Sequence, residues 1–270
     1  MAIYHCSIRI IGRSKGRSAV AYAAYCSGTK LYDKEVRKAY NYTGQNSVVH
    51  SEIDLPQNAP SEFYDREKLW NAVHEIETRS NAQLAREVEV ALPCEFTRQE
   101  QIDTVREYIM KNFVREGMCA DWALHDKGDG NPHAHIMLTM RAIKPNGRWA
   151  EKSRTIYKLD PNGQKIPVID PTTGQQKIGA RGRKMWQRET VPANDWNDHS
   201  KAEKWRAAWA AECNRRLDRQ HQIDHRSYDR QEVDKASTIH EGHVARKMER
   251  EGLVSDRCEI NREIRELNEQ

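Results

Sequence analysis

The chain has 270 residues, a net charge of +4, 37% hydrophobic and 31% charged residues, and a mean hydropathy of −0.93. This length allows one large domain with an appendage, and the number of Trp and Tyr residues excludes a disordered chain. The six cysteines are scattered without a C-x-x-C pair, and no segment resembles a signal peptide or a membrane span. We therefore expect a soluble protein with reduced thiols that stays in the cytoplasm.

The first elements are a strand and a basic loop. Residues 2–11 are rich in β-forming side chains and predict a buried strand. Residues 12–17 form a Gly-rich loop whose backbone N–H groups and cations can approach a phosphate. The candidate DNA-binding cations of this loop are Arg13, Lys15 and Arg17.

An alanine-rich helix follows over residues 19–26, with Ser18 as its predicted N-cap. Tyr22 and Tyr25 lie on it, one helical turn apart. Either phenol can therefore follow the loop to a bound phosphate, and spacing does not choose between them.

The next elements alternate between helix and strand. In chain order we predict a charged aromatic segment over 31–42, a strand over 48–54, a helix over 61–80, a strand over 85–92, and a helix that opens with the capping box of residues 97–100. This order predicts an α/β (α+β) fold, in which helices flank a central, mostly antiparallel sheet. Glu87 and Glu89 share one face of the strand over 85–92, where one of them can orient a histidine through its second nitrogen.

Three histidines form the most informative pattern of the chain. His133 and His135 open an apolar run, so strand alternation points both to the same face. The Gly-Asp-Gly-Asn-Pro segment before them predicts a tight connection that returns His125, at the end of a strand over 121–124, to their side. Three imidazoles leave positions open on a metal, which is the catalytic arrangement.

Residues 141–190 form a local basic block. They contain twelve basic and four acidic residues, a net charge of +8, with turn signals that predict a β-finger and aromatic residues that can stack on bases. The candidate DNA-binding cations are Arg148, Lys152, Arg154, Arg181, Arg183 and Lys184.

Three helices are predicted in the last part of the chain. The helix over 197–217 carries Trp205, Trp209, Cys213 and Leu217 at i, i+4 steps, and the helices over 237–252 and 257–267 are polar. We expect residues 1–200 to form the main domain, with the finger as an insertion at about 141–190, and residues 201–270 to form a helical C-terminal extension.

A divalent cation at the histidines can polarise a phosphoryl oxygen during an in-line displacement. The attacking group is then either a metal-bound water, which gives a hydrolase, or a tyrosine, which gives a covalent intermediate. A DNA-binding protein with a structural metal is a third possibility, but structural sites usually contain four ligands with cysteine among them.

Several segments together form a specific combination. They are Met1–His5, Arg17–Tyr25, Glu87–Pro93, His125 with Asn131–Leu138, Gly182–Trp186, Asn194–Asn197, Trp205–Asn214, Ile223–Ser227 and Glu249–Leu267. In these segments the chain resembles the MobA/MobL-type (MobQ class) plasmid conjugative relaxases of the HUH endonuclease superfamily. Nearly the whole chain is covered.

The resemblance implies the HUH relaxase fold and an enzyme that nicks one strand at a plasmid origin of transfer. By position in the motifs, Tyr25 corresponds to the nucleophile, Tyr22 to a packing or auxiliary residue, and His125, His133 and His135 to the metal ligands. Glu87 or Glu89 corresponds to the supporting carboxylate. A 5′-phosphotyrosine would conserve the energy of the phosphodiester, so that the strand is rejoined after transfer without a nucleotide cofactor.

The resemblance also implies the cofactor and the partners. Such enzymes work with Mg²⁺ or Mn²⁺, whereas an imidazole site binds Zn²⁺ or Ni²⁺ more strongly, so purified protein is expected to carry one of these ions. The expected partners are single-stranded or hairpin DNA of a transfer origin and the accessory and coupling proteins of a relaxosome, with the chain itself a monomer in the bacterial cytoplasm. A rolling-circle replication initiator with the same HUH chemistry is the alternative.

Overall fold

The computed structural model describes residues 4–239 and 241–269. The strands are β1 Cys6–Gly12, β2 Lys30–Asp33, β3 Lys38–Asn41, β4 Val48–Asp54, β5 Gln83–Ala91, β6 Ala120–His125, β7 His133–Thr139, β8 Ser153–Tyr157 and β9 Arg188–Pro192. The helices are α1 Ala19–Ser27, α2 Arg66–Ile76, α3 Arg98–Asn112, α4 His199–Asn214, α5 Tyr228–Gln231, α6 Gly242–Arg250 and α7 Asp256–Glu269. Part of the predicted first strand, residues 2 and 3, lies outside the described residues.

A five-stranded sheet in the order β1-β5-β7-β6-β4 forms the centre, and every neighbouring pair in it is antiparallel. One face packs against α3 and α4 through a core that includes Val88, Ile136 and Trp209. The other face packs against α1 and α2 through a second core with Leu84 and Met137. The expected fold class is thus confirmed. Neighbouring residues of a buried strand, such as Ile136 and Met137, point to opposite faces of the sheet and so pack in different cores.

Local signals set several boundaries. Ser18 caps α1 by accepting a hydrogen bond from the Ala21 N–H, and Thr97 forms the predicted capping box of α3 with Glu100. The prediction of one helix over 61–80 was wrong. Residues 61–64 form a separate 3-10 turn, Asp65 caps α2, and the helix ends at Ile76.

A hairpin of β2 and β3 lies in the segment that the sequence marked only as charged and aromatic. It precedes β4 and brings aromatic side chains beside α1. The β8 and β9 strands pair at the base of a finger, and isolated bridges between residues 159 and 186 join short turns within it. The finger lies within the predicted basic block.

The chain divides into two compact units, one ending at Ile223 and one starting at Asp224. This differs from the expected division at residue 200. Helix α4 is part of the first unit because Trp205, Trp209 and Cys213 are buried in its core. In the second unit, the Asn261 side chain donates to and accepts from the backbone of Ile239.

Across residues 4–239 and 241–269, none of the helices combines the length and the apolar character that a bilayer crossing requires.

Candidate active site

The three histidines meet at one end of the β6–β7 pair. His125 ends β6 opposite His133, the first residue of β7, and alternation puts His135 on the same face. The ring centroids lie 4.8, 5.2 and 5.5 Å apart, and the ligand nitrogens all lie within 4.8 Å of one another. The hairpin thus brings together the three residues that the spacing singled out.

An oxygen atom holds one nitrogen of each ring. His125 Nε2 donates to the Cys26 carbonyl at 2.6 Å, His133 Nδ1 to the Asn131 carbonyl at 2.8 Å, and His135 Nδ1 to the Glu87 carboxylate at 3.0 Å. A carbonyl or carboxylate oxygen only accepts, so we assign the proton to the anchored nitrogen and a free lone pair to the other one. This arrangement orients metal ligands.

The electrostatics of the rings also suit a metal. Burial, with smaller contributions from the neighbouring imidazoles, lowers the pKa of His125 to about 4 and lowers the pKa of His133 as well. Both rings are therefore neutral at pH 7, the form that binds a cation. Three clustered imidazoles fit a divalent ion that keeps open positions.

Glu87 and Glu89 point to the same side of β5 but have different partners. Glu87 is buried, contacts His135, and accepts a hydrogen bond from the Tyr22 hydroxyl. Burial alone would raise the pKa of Glu87, but the hydrogen bonds from His135 and Tyr22 and the charge of Arg9 lower it. Glu89 is half-buried and pairs with Arg9.

Arg9 on β1 binds both carboxylates, with Nε 2.9 Å from Glu87 and a second contact to Glu89. Glu87, Glu89 and His135 also bring possible ligand atoms within 4.8 Å of one another. The guanidinium offsets one of the two negative charges, and Glu87 holds His135, so the group serves as support for the histidine cluster.

The two tyrosines of α1 differ in what their hydroxyls do. The Tyr22 hydroxyl donates to Glu87. Burial is the main cause that raises the pKa of Tyr22 strongly, and the nearby Cys26 and Glu87 raise it further. Tyr25 is 39% exposed, and its hydroxyl has no hydrogen-bond partner among the residues that the structure describes. Tyr25 is therefore the phenol available to a substrate.

The Tyr25 ring lies beside the histidine cluster. Its centroid is 6.4 Å from those of His125 and His135, and the edge of Tyr42 packs against it at 5.5 Å. Burial and nearby negative groups raise the pKa of Tyr25, so the phenol is protonated at pH 7. Attack by its oxygen requires a cation close to the developing phenolate.

The basic loop lies next to α1, but its three cations differ. Lys15 and Arg17 are exposed. Arg13 instead donates to the Glu77 carbonyl at 2.9 Å and pairs with Glu35, which commits it to the fold. This differs from the expectation that all three cations face DNA.

The finger shows the same division. Arg148, Arg154, Arg181, Arg183 and Lys184 are exposed. The Lys152 ammonium turns inward, 2.8 Å from the buried Glu77 carboxylate and 2.9 Å from the Gln83 carbonyl, because this ion pair fixes the base of the finger. Lys152 therefore differs from the other predicted DNA contacts of the finger.

Sequence reasoning missed Arg9, the Cys26 carbonyl and the aromatic residues Tyr40 and Tyr42. The register that pairs Arg9 with Glu87 across β1 and β5 was the signal for Arg9, but it depends on knowing which strands are neighbours. The carbonyl leaves no signal in a sequence. Tyr40 and Tyr42 were visible as aromatic residues, without an indication of their position.

The sequence model of the MobA/MobL family matches residues 17–251. The chain belongs to the MobA/MobL family. One relative, "Probable mobilization protein MobA" of Bifidobacterium longum, is 43% identical to this chain over 272 residues. The alignment covers 100% of this chain and 48% of the relative. "Conjugal transfer protein TraA" of Agrobacterium fabrum is 35% identical over 288 residues, which cover 99% of this chain and 24% of the relative.

A solved structure described as "Molecular Basis of Vancomycin Resistance Transfer in Staphylococcus aureus" is similar to this MobA/MobL chain, with 29% identity and a TM-score of 0.66. The similarity covers 84% of this chain and 100% of that one. By contrast, the chain spans about half and about a quarter of the two curated relatives above.

Proposed function

We propose that this chain is a relaxase, a site- and strand-specific DNA endonuclease and transesterase that nicks one strand at a plasmid origin of transfer. The observation that carries the proposal is the exposed Tyr25 ring, 6.4 Å from two of three clustered imidazoles. Relatives named as mobilization and conjugal transfer proteins support the same biological setting.

His125, His133 and His135 would hold the divalent ion, Mg²⁺ or Mn²⁺ in function. When bound, such an ion polarises a phosphoryl oxygen and offsets the negative charge that develops on it. Glu87 fixes the ring and the tautomer of His135, while the Cys26 and Asn131 carbonyls do the same for the other two histidines.

In the reaction, Tyr25 Oη bonds to the phosphorus as the bond from phosphorus to the 3′ oxygen breaks. The phenol proton passes to solvent, and the released oxygen takes up a proton to become a 3′ hydroxyl. One phosphodiester replaces another, so the 3′ hydroxyl can attack the phosphotyrosine and rejoin the strand without a nucleotide cofactor. The raised pKa of Tyr25 makes the phenolate a good leaving group only when a cation stabilises it.

The substrate that we propose is single-stranded or hairpin DNA, held by the exposed cations of the loop and the finger. Accessory and coupling proteins would deliver it, and the reaction would take place with plasmid DNA in the bacterial cytoplasm. A rolling-circle initiator would use the same chemistry at a replication origin. The names of the relatives favour the transfer origin.

The test is the incubation of labelled single-stranded oligonucleotides from a candidate transfer origin with the protein and Mn²⁺. We expect a labelled protein band that survives denaturation, and we expect a chelator or Tyr25→Phe to abolish it. Tyr64→Phe is the matched control because Tyr64 is exposed and lies outside the site. Nicking by Tyr25→Phe at the normal rate would contradict covalent transfer and favour metal-water hydrolysis.

A further inference from the structure

An open cavity of about 460 Å³ lies beside α1 and the β2–β3 hairpin and extends to Arg9 on β1 and Glu87 on β5. Tyr25, Tyr40 and Tyr42 line it, and Arg17 stands at its wall. The volume is in the range of pockets that take small organic ligands. Tyr25 thus adjoins a space of ligand size beside the histidine cluster.

The aromatic rings of this cavity are available to a ligand. Tyr42 is 37% exposed and lies in a T-shaped contact with Tyr25. The Lys38 ammonium lies 5.0 Å from the Tyr40 ring centroid, which adds a positive charge beside the aromatic surface. Arg17 is exposed and forms no ion pair within residues 4–239 and 241–269. Exposed rings with nearby cations suit a base and its phosphate.

Several other polar side chains that line the same cavity are already used within the protein. Ser18 donates to Asp33 and accepts from the Ala21 N–H. Glu87 accepts from Tyr22 and His135. Apart from Arg17 and the tyrosine hydroxyls, the cavity therefore offers ring faces and positive charge but few free groups that could distinguish one base edge from another.

We propose that this cavity, here called the stacking pocket and defined by Arg17, Tyr40 and Tyr42, binds one nucleotide next to the phosphate that Tyr25 attacks. Its base stacks on the tyrosine rings and its phosphate contacts Arg17. The pocket holds the strand by stacking and charge, so it accepts any base. This inference rests on the proposed function, because it assumes that single-stranded DNA reaches Tyr25.

The test measures DNA binding by fluorescence anisotropy in the full chain carrying Tyr25→Phe, so that no cleavage occurs. A series of oligonucleotides carries one abasic site at each position around the nick. We expect one position at which the abasic site weakens binding by about 5- to 150-fold, the usual range for loss of one stacked base. At that position, exchanging the four bases should change affinity by no more than about threefold.

The variant Tyr42→Ala should weaken binding to the intact oligonucleotide and remove the additional effect of that one abasic site. Tyr42→Phe, which keeps the ring, should bind as the chain that carries Tyr25→Phe alone does. Tyr32→Ala is the matched control, since Tyr32 is exposed on the same hairpin but does not line the cavity. Its abasic profile should equal that of the chain that carries Tyr25→Phe alone.

The pocket is disproved if Tyr42→Ala and the abasic site lower the affinity independently of each other at every position, so that their fold-changes multiply. It is also disproved if Tyr42→Phe binds the oligonucleotide as weakly as Tyr42→Ala does. A strong preference for one base at the coupled position would contradict reading by stacking. The proposed function is tested separately in the chain without any substitution, in which Tyr25 is intact. If that chain forms the covalent adduct but no position couples to Tyr42, only the stacking pocket fails.

Discussion

Tyr22 and Tyr25 lie one turn apart on α1, and the two hydroxyls have different surroundings. The Tyr22 hydroxyl bonds to Glu87, which in turn holds His135. Tyr25 lines the open cavity, and its hydroxyl has no hydrogen-bond partner among the described residues. The same helix therefore carries one tyrosine that supports the histidine cluster and one whose hydroxyl is open to a substrate.

For Tyr22→Phe we expect the covalent DNA adduct to form still, because Tyr25 remains. Mn²⁺ affinity should fall on the order of 3- to 10-fold, because Glu87 would be less firmly placed. This loss is smaller than the loss expected when a residue that hydrogen-bonds directly to a metal-binding histidine is removed. Calorimetric titration with Mn²⁺ measures this change. Tyr40→Phe is the control, because its ring also lines the cavity but no bond links it to Glu87. An unchanged affinity with loss of the adduct would instead make Tyr22 the nucleophile.

The histidine cluster predicts a pH dependence for the metal-free protein. Burial lowers the pKa of His125 to about 4, whereas an unfolded histidine titrates near 6.5. Between these values the unfolded chain binds a proton that the folded chain does not, so the free energy of unfolding should fall as pH falls from about 6.5 to about 4. The lowered pKa of Glu87 adds to this loss at the lower end of the window and below it, because its stabilising contribution is lost as that carboxylate is protonated.

Urea unfolding in the presence of a chelator, repeated at several pH values, measures this dependence. The loss is expected on the order of 3 kcal/mol across the window for the native chain. A His125→Asn variant should have a clearly flatter profile. Equal slopes for the two proteins would show that His125 is not held in its neutral form.

The elements show which sequence signals were sufficient. β4 and the capping box of α3 appear where the sequence predicted them, because alternation and capping are local properties. The β2–β3 hairpin was not predicted, since its short strands mix charged and aromatic residues without a regular alternation. The predicted helix over 61–80 was too long at both ends, because residues 61–64 form a separate turn before the Asp65 cap and α2 ends at Ile76.

The finger predicts a strong salt dependence of DNA binding. Exposed cations on phosphates release counterions, and each contact to single-stranded DNA contributes about 0.7 to the slope of log affinity against log salt. Replacing Arg181, Arg183 and Lys184 together by Gln should therefore lower the slope by up to about 2. Anisotropy titrations at several salt concentrations measure it. Lys68→Gln, an exposed cation on α2, should leave the slope unchanged.

The inward-facing cations give a contrasting result. Because Lys152 pairs with the buried Glu77, Lys152→Gln should reduce stability more than it reduces the salt slope. A drop of about 0.7 in the slope with unchanged stability would place Lys152 among the DNA contacts after all.

At the scale of the whole molecule, the sequence predicted a central antiparallel sheet flanked by helices but not the end of the first unit. The apolar stripe of α4 was visible in the sequence, but the helix was assigned to a C-terminal extension, whereas three of its apolar side chains complete the core against the sheet. Whether a helix packs on the domain before it or stands apart depends on tertiary contacts that periodicity does not contain.

A truncation series tests this assignment of α4. A chain ending at residue 223 should unfold in one cooperative transition, because the first unit is then complete. A chain ending at residue 200 lacks Trp205 and Trp209, each fully buried, and should lose cooperative unfolding. Cooperative unfolding of the shorter chain would show that α4 is dispensable for the core.

Mass spectrometry of the covalent adduct tests the central claim most directly. Trypsin releases residues 18–30 as one peptide that contains both tyrosines of α1, and fragmentation distinguishes them. After reaction with a transfer-origin oligonucleotide and Mn²⁺, followed by nuclease digestion, we predict a nucleotide phosphate on Tyr25 and an unmodified Tyr22. A modification on any other residue, or cleaved DNA without a modified peptide, would contradict the account.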